Sequence, residues 1–245
     1  MSLQGTAFLA LWNDFDPARD DEYNCWHTFE HVPERVGVDG VLSGRRFIAR
    51  ERSERWRYFT LYELAGLDAL SGPGYLVVVD HPSDWSLSMR PSFRNFFRQP
   101  CTTELSIGQG HGACVATYRV TLDARVESAQ WARVLQPCID SAALVAMHLG
   151  RVDTSAKFPL GNAAAEVAAG VPYVLLLEGT DRGQLERAIP QVLAAIGETL
   201  KPVAPVEGES YDLASMVEKR DLADRHAKRQ PQRPDLRSRW SSPDN

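Results

Sequence analysis

The same order of strand and helix patterns runs through this chain twice. Residues 7–12, Ala-Phe-Leu-Ala-Leu-Trp, form a short apolar run of strand length, closed by the polar 13–17 segment. Asp20 and Asp21 then supply a cap and first-turn negative charge for a helix. After the Asp39-Gly40 turn signal, 41–50 and 57–64 read as strands. In the second of these, Phe59, Leu61 and Glu63 share one face, while Tyr58, Thr60, Tyr62 and Leu64 share the other. A helix over 68–80 and a strand over 101–107 complete the first pass. The second pass runs strand 114–122, helix 126–139, strand 143–152, loop 155–170 with one helical turn at 163–169, strand 172–179, helix 181–200 and strand 211–217.

Each pass is a βαββαβ unit, the split βαβ order of a ferredoxin-like fold. Such a unit gives an antiparallel sheet with helices on one face, so the other face needs a cover. The economical cover is the second sheet of the same chain. The fold class expected is therefore α+β: two tandem ferredoxin-like repeats whose antiparallel sheets pack as an α+β barrel. The first repeat is expected over 1–110 and a degenerate second one over 111–217. The polar, Arg-rich stretch 218–245 is expected to be a disordered or loosely attached tail.

Charge narrows the functional classes. Eight Lys/Arg and five Asp/Glu fall within 218–245, leaving 19 basic and 27 acidic residues in the remainder. An acidic body argues against a nucleic-acid partner. The longest apolar runs, such as 173–177, are too short to cross a bilayer, so no membrane role is expected. Cys25, Cys101, Cys114 and Cys138 are widely spaced and contain no CxxC pair. With no secretory signal at Met1-Ser2-Leu3-Gln4, a reduced, cytoplasmic protein is expected.

Chemistry concentrates in Trp26-His27-Thr28-Phe29-Glu30-His31-Val32-Pro33-Glu34-Arg35. On a regular helix Cys25, Phe29, Val32 and Val36 form the core stripe. Tyr23, His27, Glu30, His31 and Glu34 fall on the far side, with Trp26 at the border. Pro33 lacks an N–H and disfavours helix at Val32, so a kink or stop near His31 is expected. Arg45 and Arg46 are adjacent in a strand and point to opposite faces. One could face a pocket and hold a carboxylate or enolate oxygen, while the other pairs with Glu30 or Glu34. Tyr62 and Tyr58 share a face that could line the same pocket. The 90–98 segment interleaves arginine with phenylalanine and reads as a lid whose arginines pair with the acidic helix. Gly108-Gln109-Gly110-His111-Gly112 fits neither a Walker nor a Rossmann spacing and reads as the hinge between repeats. His148, in a strand, reads as a core histidine with satisfied hydrogen bonds.

His31-Val32-Pro33, with Trp26 five residues before it and Arg45 and Arg46 following, resembles the W…HxP…G…R pattern of EthD-type proteins in the dimeric α+β barrel superfamily. The resemblance covers roughly residues 5–110, and the second repeat matches the superfamily only in element order. It implies a pocket between sheet and helices, faced by His31. The function it implies is a small-molecule enzyme using acid–base chemistry on an aromatic or polyketide-like compound. His31 would be the base, His27 or Glu30 would tune it, and Trp26, Arg45, Arg46 and Tyr62 would contact the substrate.

Two other readings use the same residues. A non-catalytic ligand-binding or interaction module would use the motif to close an interface. A metal hydrolase would use His27-x-x-Glu30-His31 as an inverted zincin spelling, with Glu104 as a third ligand. The first reading calls for no metal and no cofactor. Its partner is a small-molecule ligand, and it leaves room for a homodimer.

Overall fold

The computed structural model describes residues 3–51, 55–155, 169–227 and 229–240. The helical turn expected within 163–169 lies outside them except for its last residue. The first repeat runs β1 (Ala7–Phe15), α1 (Asp20–Trp26), a π-helical turn (His27–His31), α2 (Val32–Gly37), β2 (Val41–Ile48), β3 (Tyr58–Leu64), α3 (Pro73–Asp80), α4 (Asp84–Met89) and β4 (Phe93–Gly108). The second runs β5 (Cys114–Leu122), α5 (Ser128–Asp140), β6 (Ala146–Val152), β7 (Val171–Gly179), α6 (Arg182–Leu200) and β8 (Glu207–Glu218). A short helix α7 (Pro234–Arg237) follows.

The strands close into an antiparallel barrel in the order β1-β3-β2-β8-β5-β7-β6-β4. Each repeat contributes four neighbours, β4-β1-β3-β2 and β8-β5-β7-β6. The repeats join edge to edge at two seams, with Arg46 opposite Ser215 between β2 and β8 and Ser106 opposite His148 between β4 and β6. Closure leaves none of these eight strands with an unpaired edge for strand addition. The two-residue alternation then sorts every strand into an inward and an outward set. Phe8, Ala10, Trp12, Phe47, Phe59, Leu61, Val115, Val174, Leu176 and Tyr211 fill the barrel.

Outside the barrel the repeats differ. On the second, Trp131 and Leu135 of α5 and Leu185, Val192 and Ile196 of α6 pack directly on Tyr118, Leu149, Leu175 and Leu177. On the first, the helical layer divides into two clusters. One joins Val32, Val36, Tyr75 and Val78 to Leu9, Tyr62 and Leu64. The other joins Tyr23, Trp26 and Trp85 to Phe15 and Tyr58.

The expected break at Pro33 is absent. The helix passes through it by widening: the Val32 N–H bonds the His27 carbonyl five residues back, and α2 follows directly with Pro33 in its first turn. A wide turn needs no N–H from Pro33 to the carbonyl four residues before it. It also carries an extra residue past the sheet, which overturns the expected core stripe. Tyr23, Trp26, His27 and Glu30 are buried together with Val32 and Val36, while Phe29 is 54% exposed and Cys25 half-buried. Gly44 on β2 lets the helix sit close, since a Cβ there would come within 2.7 Å of Val32 Cγ1.

The stretch after β8, expected to be loose, lies along this helix where it is described. Lys219 Nζ donates to the Gly37 and Val38 carbonyls at 3.1 and 2.9 Å, and Leu236 packs into the Tyr23–Trp26 cluster. The segment that carries the 90–98 arginines and phenylalanines is also regular. It is α4 followed by the first half of a 16-residue β4 that pairs with β1.

Candidate functional site

A cavity of about 340 Å³ lies between the outer face of the first sheet and its helices. That is within the roughly 300–1,000 Å³ range of small-molecule sites. Leu9 and Leu11 of β1 and Tyr62 and Leu64 of β3 form its floor, a direct result of strand alternation. Trp26, His31 and Arg35 reach it from the helix, Tyr75 from α3, Arg90 from the turn before β4, and Phe93, Phe96 and Arg98 from the start of β4. No Asp or Glu lines it among the described residues.

The helix presents a ladder at four-residue spacing. The rings of Tyr23 and His27 stack at 5.1 Å with 29° between planes, and those of His27 and His31 at 5.1 Å with 24°. Arg35 follows four residues later and enters the cavity beside His31. Trp26 lies against His31, ring centroids 4.5 Å apart. The base of the ladder is fixed: the Tyr23 hydroxyl donates to Asn13 Oδ1 at 3.1 Å, and burial pushes its phenol up to about 12.

Burial, then the positive charges of Arg35, Arg46 and Arg90, hold the His31 imidazole well below its ordinary value. It is therefore neutral near pH 7, with a lone pair able to accept a proton. His27 is held down in the same way, by burial and then by Arg46 and His31. Burial raises the Tyr62 phenol, so its hydroxyl remains a donor. The His31 Nδ1, Tyr62 Oη and Arg35 Nη1 atoms are buried and have no hydrogen-bond partner among the described residues.

Of the residues singled out from the sequence, Trp26, His31 and Tyr62 meet at this cavity. His27 stands behind His31 and does not line it. Glu30 faces elsewhere: its Oε1 accepts from the Ser83 hydroxyl at 2.5 Å and its Oε2 from the Arg233 N–H at 2.7 Å. Glu34 accepts from Arg229 Nε at 2.8 Å. Arg45 points into the barrel, where it bonds Glu178 at 2.8 and 2.9 Å. Arg46 points outward but is held by Asn24 and Thr28 over the Tyr23 ring. Neither arginine lines the cavity or pairs with Glu30 or Glu34, because both faces of β2 are covered. His148 is satisfied as expected, between Ser106 Oγ at 2.9 Å and Glu178 Oε1 at 3.1 Å.

The inverted zincin spelling does not assemble. Glu30 is turned away from the two imidazoles, and Glu104 is held by Arg151 Nε at 2.7 Å. No group of three potential metal ligands gathers among the described residues. No helix among them is long and apolar enough to cross a membrane.

Sequence reasoning missed Arg35 and misplaced Arg90 and Arg98. The signal for Arg35 was the 23-27-31-35 spacing, hidden by treating Pro33 as a helix stop. Arg90 and Arg98 belong to the expected lid, but they face the cavity rather than the acidic helix. Arg94 pairs at 3.3 Å with Asp16, which lies ahead of the acidic helix and not on it.

No protein-family model and no curated protein matches the sequence. Solved structures do match in fold. An anthrone oxidase-like protein aligns with a TM-score of 0.60 at 9% identity, covering 95% of this chain and 99% of that one. A candidate monooxygenase from Fusobacterium nucleatum aligns at 0.55 and 12% identity over 89% and 96% of the two chains. One from Lactobacillus acidophilus aligns at 0.53 and 9% over 87% and 96%. At these identities the likeness concerns architecture: the chain has the ferredoxin-like α+β barrel fold that these proteins share.

Proposed function

We propose that the protein is a small-molecule enzyme using acid–base chemistry on an aromatic or polyketide-like compound, with His31 as the base. The observation that carries this reading is His31 itself, neutral and with its Nδ1 unpartnered, opening into a largely apolar cavity floored by Leu9, Tyr62 and Leu64. The Trp26…His31-x-Pro33 pattern resembles that of EthD-type proteins, and the anthrone oxidase-like neighbour offers a compound class for the first assay. The residues support one step: His31 takes a proton from an acidic C–H of the bound compound. The electron pair left on carbon delocalises into the adjoining carbonyl, and His31 or water returns the proton. His27 stacks on His31 and orients it, and Glu30 fixes the helix that carries both. The four unpaired thiols suit a reducing cytoplasm.

The step has a direct readout, exchange of the carbon-bound proton for deuterium in D2O. Anthrone and hydroxyanthrones, whose ring methylene is acidic, are incubated with the protein and followed by NMR. Exchange faster than buffer is expected, falling about 10²–10⁴-fold in His31→Gln. Equal exchange by wild type and His31→Gln would sink the assignment of the base. Saturable binding without exchange would favour the alternative of a non-catalytic ligand-binding module.

A further inference from the structure

Three buried polar atoms without partners, Arg35 Nη1, Tyr62 Oη and His31 Nδ1, all belong to residues lining one cavity. Buried polar groups are nearly always hydrogen-bonded, so such a coincidence calls for a missing partner. Two of the three carry protons to donate. A guanidinium cannot accept, and a phenol kept protonated by burial has its O–H to give. The lining also carries Arg90 and Arg98 but no carboxylate among the described residues. Taking a cation such as Arg35 out of water is costly without a counter-charge, and among the described residues no carboxylate lines this wall. Arg35 is nevertheless placed with care: its guanidinium lies 5.7 Å over the Tyr75 ring.

We infer that Arg35 and Tyr62 form an oxyanion clamp, and that the ligand of this cavity is a planar aromatic molecule carrying one anionic oxygen group, a carboxylate, phenolate or enolate. The inference rests on the cavity being a ligand site, as the proposed function also requires, and adds the charge of the ligand and the residues that read it. The apolar floor and Trp26, Phe93 and Phe96 take the ring system, and the clamp takes the oxygen. Specificity follows from desolvation. A neutral analogue of the same shape leaves both donors unpaired, whereas the anion satisfies them.

The test uses two fluorescent probes that share a ring system and differ in charge, 1-anilinonaphthalene-8-sulfonate and the neutral N-phenyl-1-naphthylamine. Wild-type protein is expected to bind the sulfonate at least tenfold more tightly. Arg35→Met is expected to weaken the sulfonate about tenfold or more while changing the neutral probe less than about twofold, which also shows that the cavity is intact. Tyr62→Phe is expected to produce a smaller loss of the same selective kind, and it decides the matter if Arg35→Met loses both probes. Leu11→Trp, which fills the cavity, is expected to abolish binding of both. Equal affinity of wild type for the two probes, or equal losses of both in Tyr62→Phe, would overturn the clamp while leaving the cavity and the proposed function standing. Sulfonate binding that survives Leu11→Trp lies outside the cavity and overturns the clamp as well. No binding of either probe to wild type would overturn the clamp and the ligand site together.

Discussion

At the scale of residues, the proposed base, His31, sits beside the Arg35 cation. Burial and the Arg35 charge both disfavour protonated His31. The His31 imidazole of the free protein therefore stays unprotonated to a pH below its ordinary value of about 6.5. An anion bound beside Arg35, as inferred above, would offset that charge and make His31 more basic. Removing the charge has the same sign. In Arg35→Met the His31 pKa rises, so the acid limb of the kcat/KM profile for deuterium exchange is expected to move to higher pH than in wild type. An acid limb that stays put or moves down would separate Arg35 from the base. His31, Trp26 and Tyr62 were legible in the sequence because their types and spacing put them on surfaces that meet. Arg45 and Arg46 were not. Alternation says that adjacent residues diverge, but it does not say which side of a strand is the barrel interior, and here both sides are covered.

At the scale of elements, the helix from Asp20 to Gly37 holds its register through contacts made by its carboxylates. Glu30 is buried and accepts from Ser83 ahead of α4 and from the Arg233 N–H ahead of α7, so one side chain ties three segments together. Trp26 Nε1 donates to Ser86 Oγ at 3.3 Å, and Ser86 lies 2.9 Å from Ser83 Oγ, which extends the tie to the cavity wall. Glu30→Ala removes the acceptors of one buried donor, the Ser83 hydroxyl, and one half-buried donor, the Arg233 N–H. A loss of about 2–4 kcal/mol is expected by urea denaturation, with the ligand probes weakened because Trp26 loses its anchor. A loss within about 0.5 kcal/mol would show that Glu30 does not secure the helix. The sequence marked Glu30 and Glu34 as a polar face, and polar faces are usually wet. What covers them comes from beyond β8, where Arg229 and Arg233 are 195 or more residues away in the chain. Local periodicity carries no information about a contact of that range. It also cannot foresee a π-helical turn, which changes the phase of the helix without changing its composition.

At the scale of the whole molecule, the element order repeated in the sequence was enough to give the barrel, because a half-covered sheet has few ways to finish. What it left open was how the seams are locked. One lock is a buried cluster at one end of the barrel. Arg45 of β2 bonds both Glu178 oxygens and lies 3.5 Å from Glu63 Oε1. Glu178 of β7 also accepts from His148 Nε2 at 3.1 Å and from the Gly112 N–H at 2.7 Å in the segment joining the repeats. A cation from the first repeat is thus closed against a carboxylate from the second, with the linker amide as the third party. Burial would raise the Glu178 carboxyl, but the His148 hydrogen bond, Arg45 and the Gly112 amide outweigh it and hold it at about 2. A depressed carboxyl stabilises the fold above its ordinary value of 4.5, and that contribution is lost as pH falls from 4.5 toward 2. Arg45→Met leaves Glu178 as an uncompensated buried charge and is expected to cost about 3–5 kcal/mol at pH 7. Adding Glu178→Gln to it removes the charge while keeping one carbonyl acceptor and the side-chain shape, so the double variant is expected to be more stable than Arg45→Met alone, with a coupling of at least about 1.5 kcal/mol. The acid-induced loss of stability between pH 4.5 and 2 should also be shallower in Arg45→Met than in wild type, since Glu178 has then lost part of what holds its proton off. Additive single-site effects, or an unchanged acid slope, would mean that the two repeats are held by their strand seams alone and that this cluster only fills the barrel end.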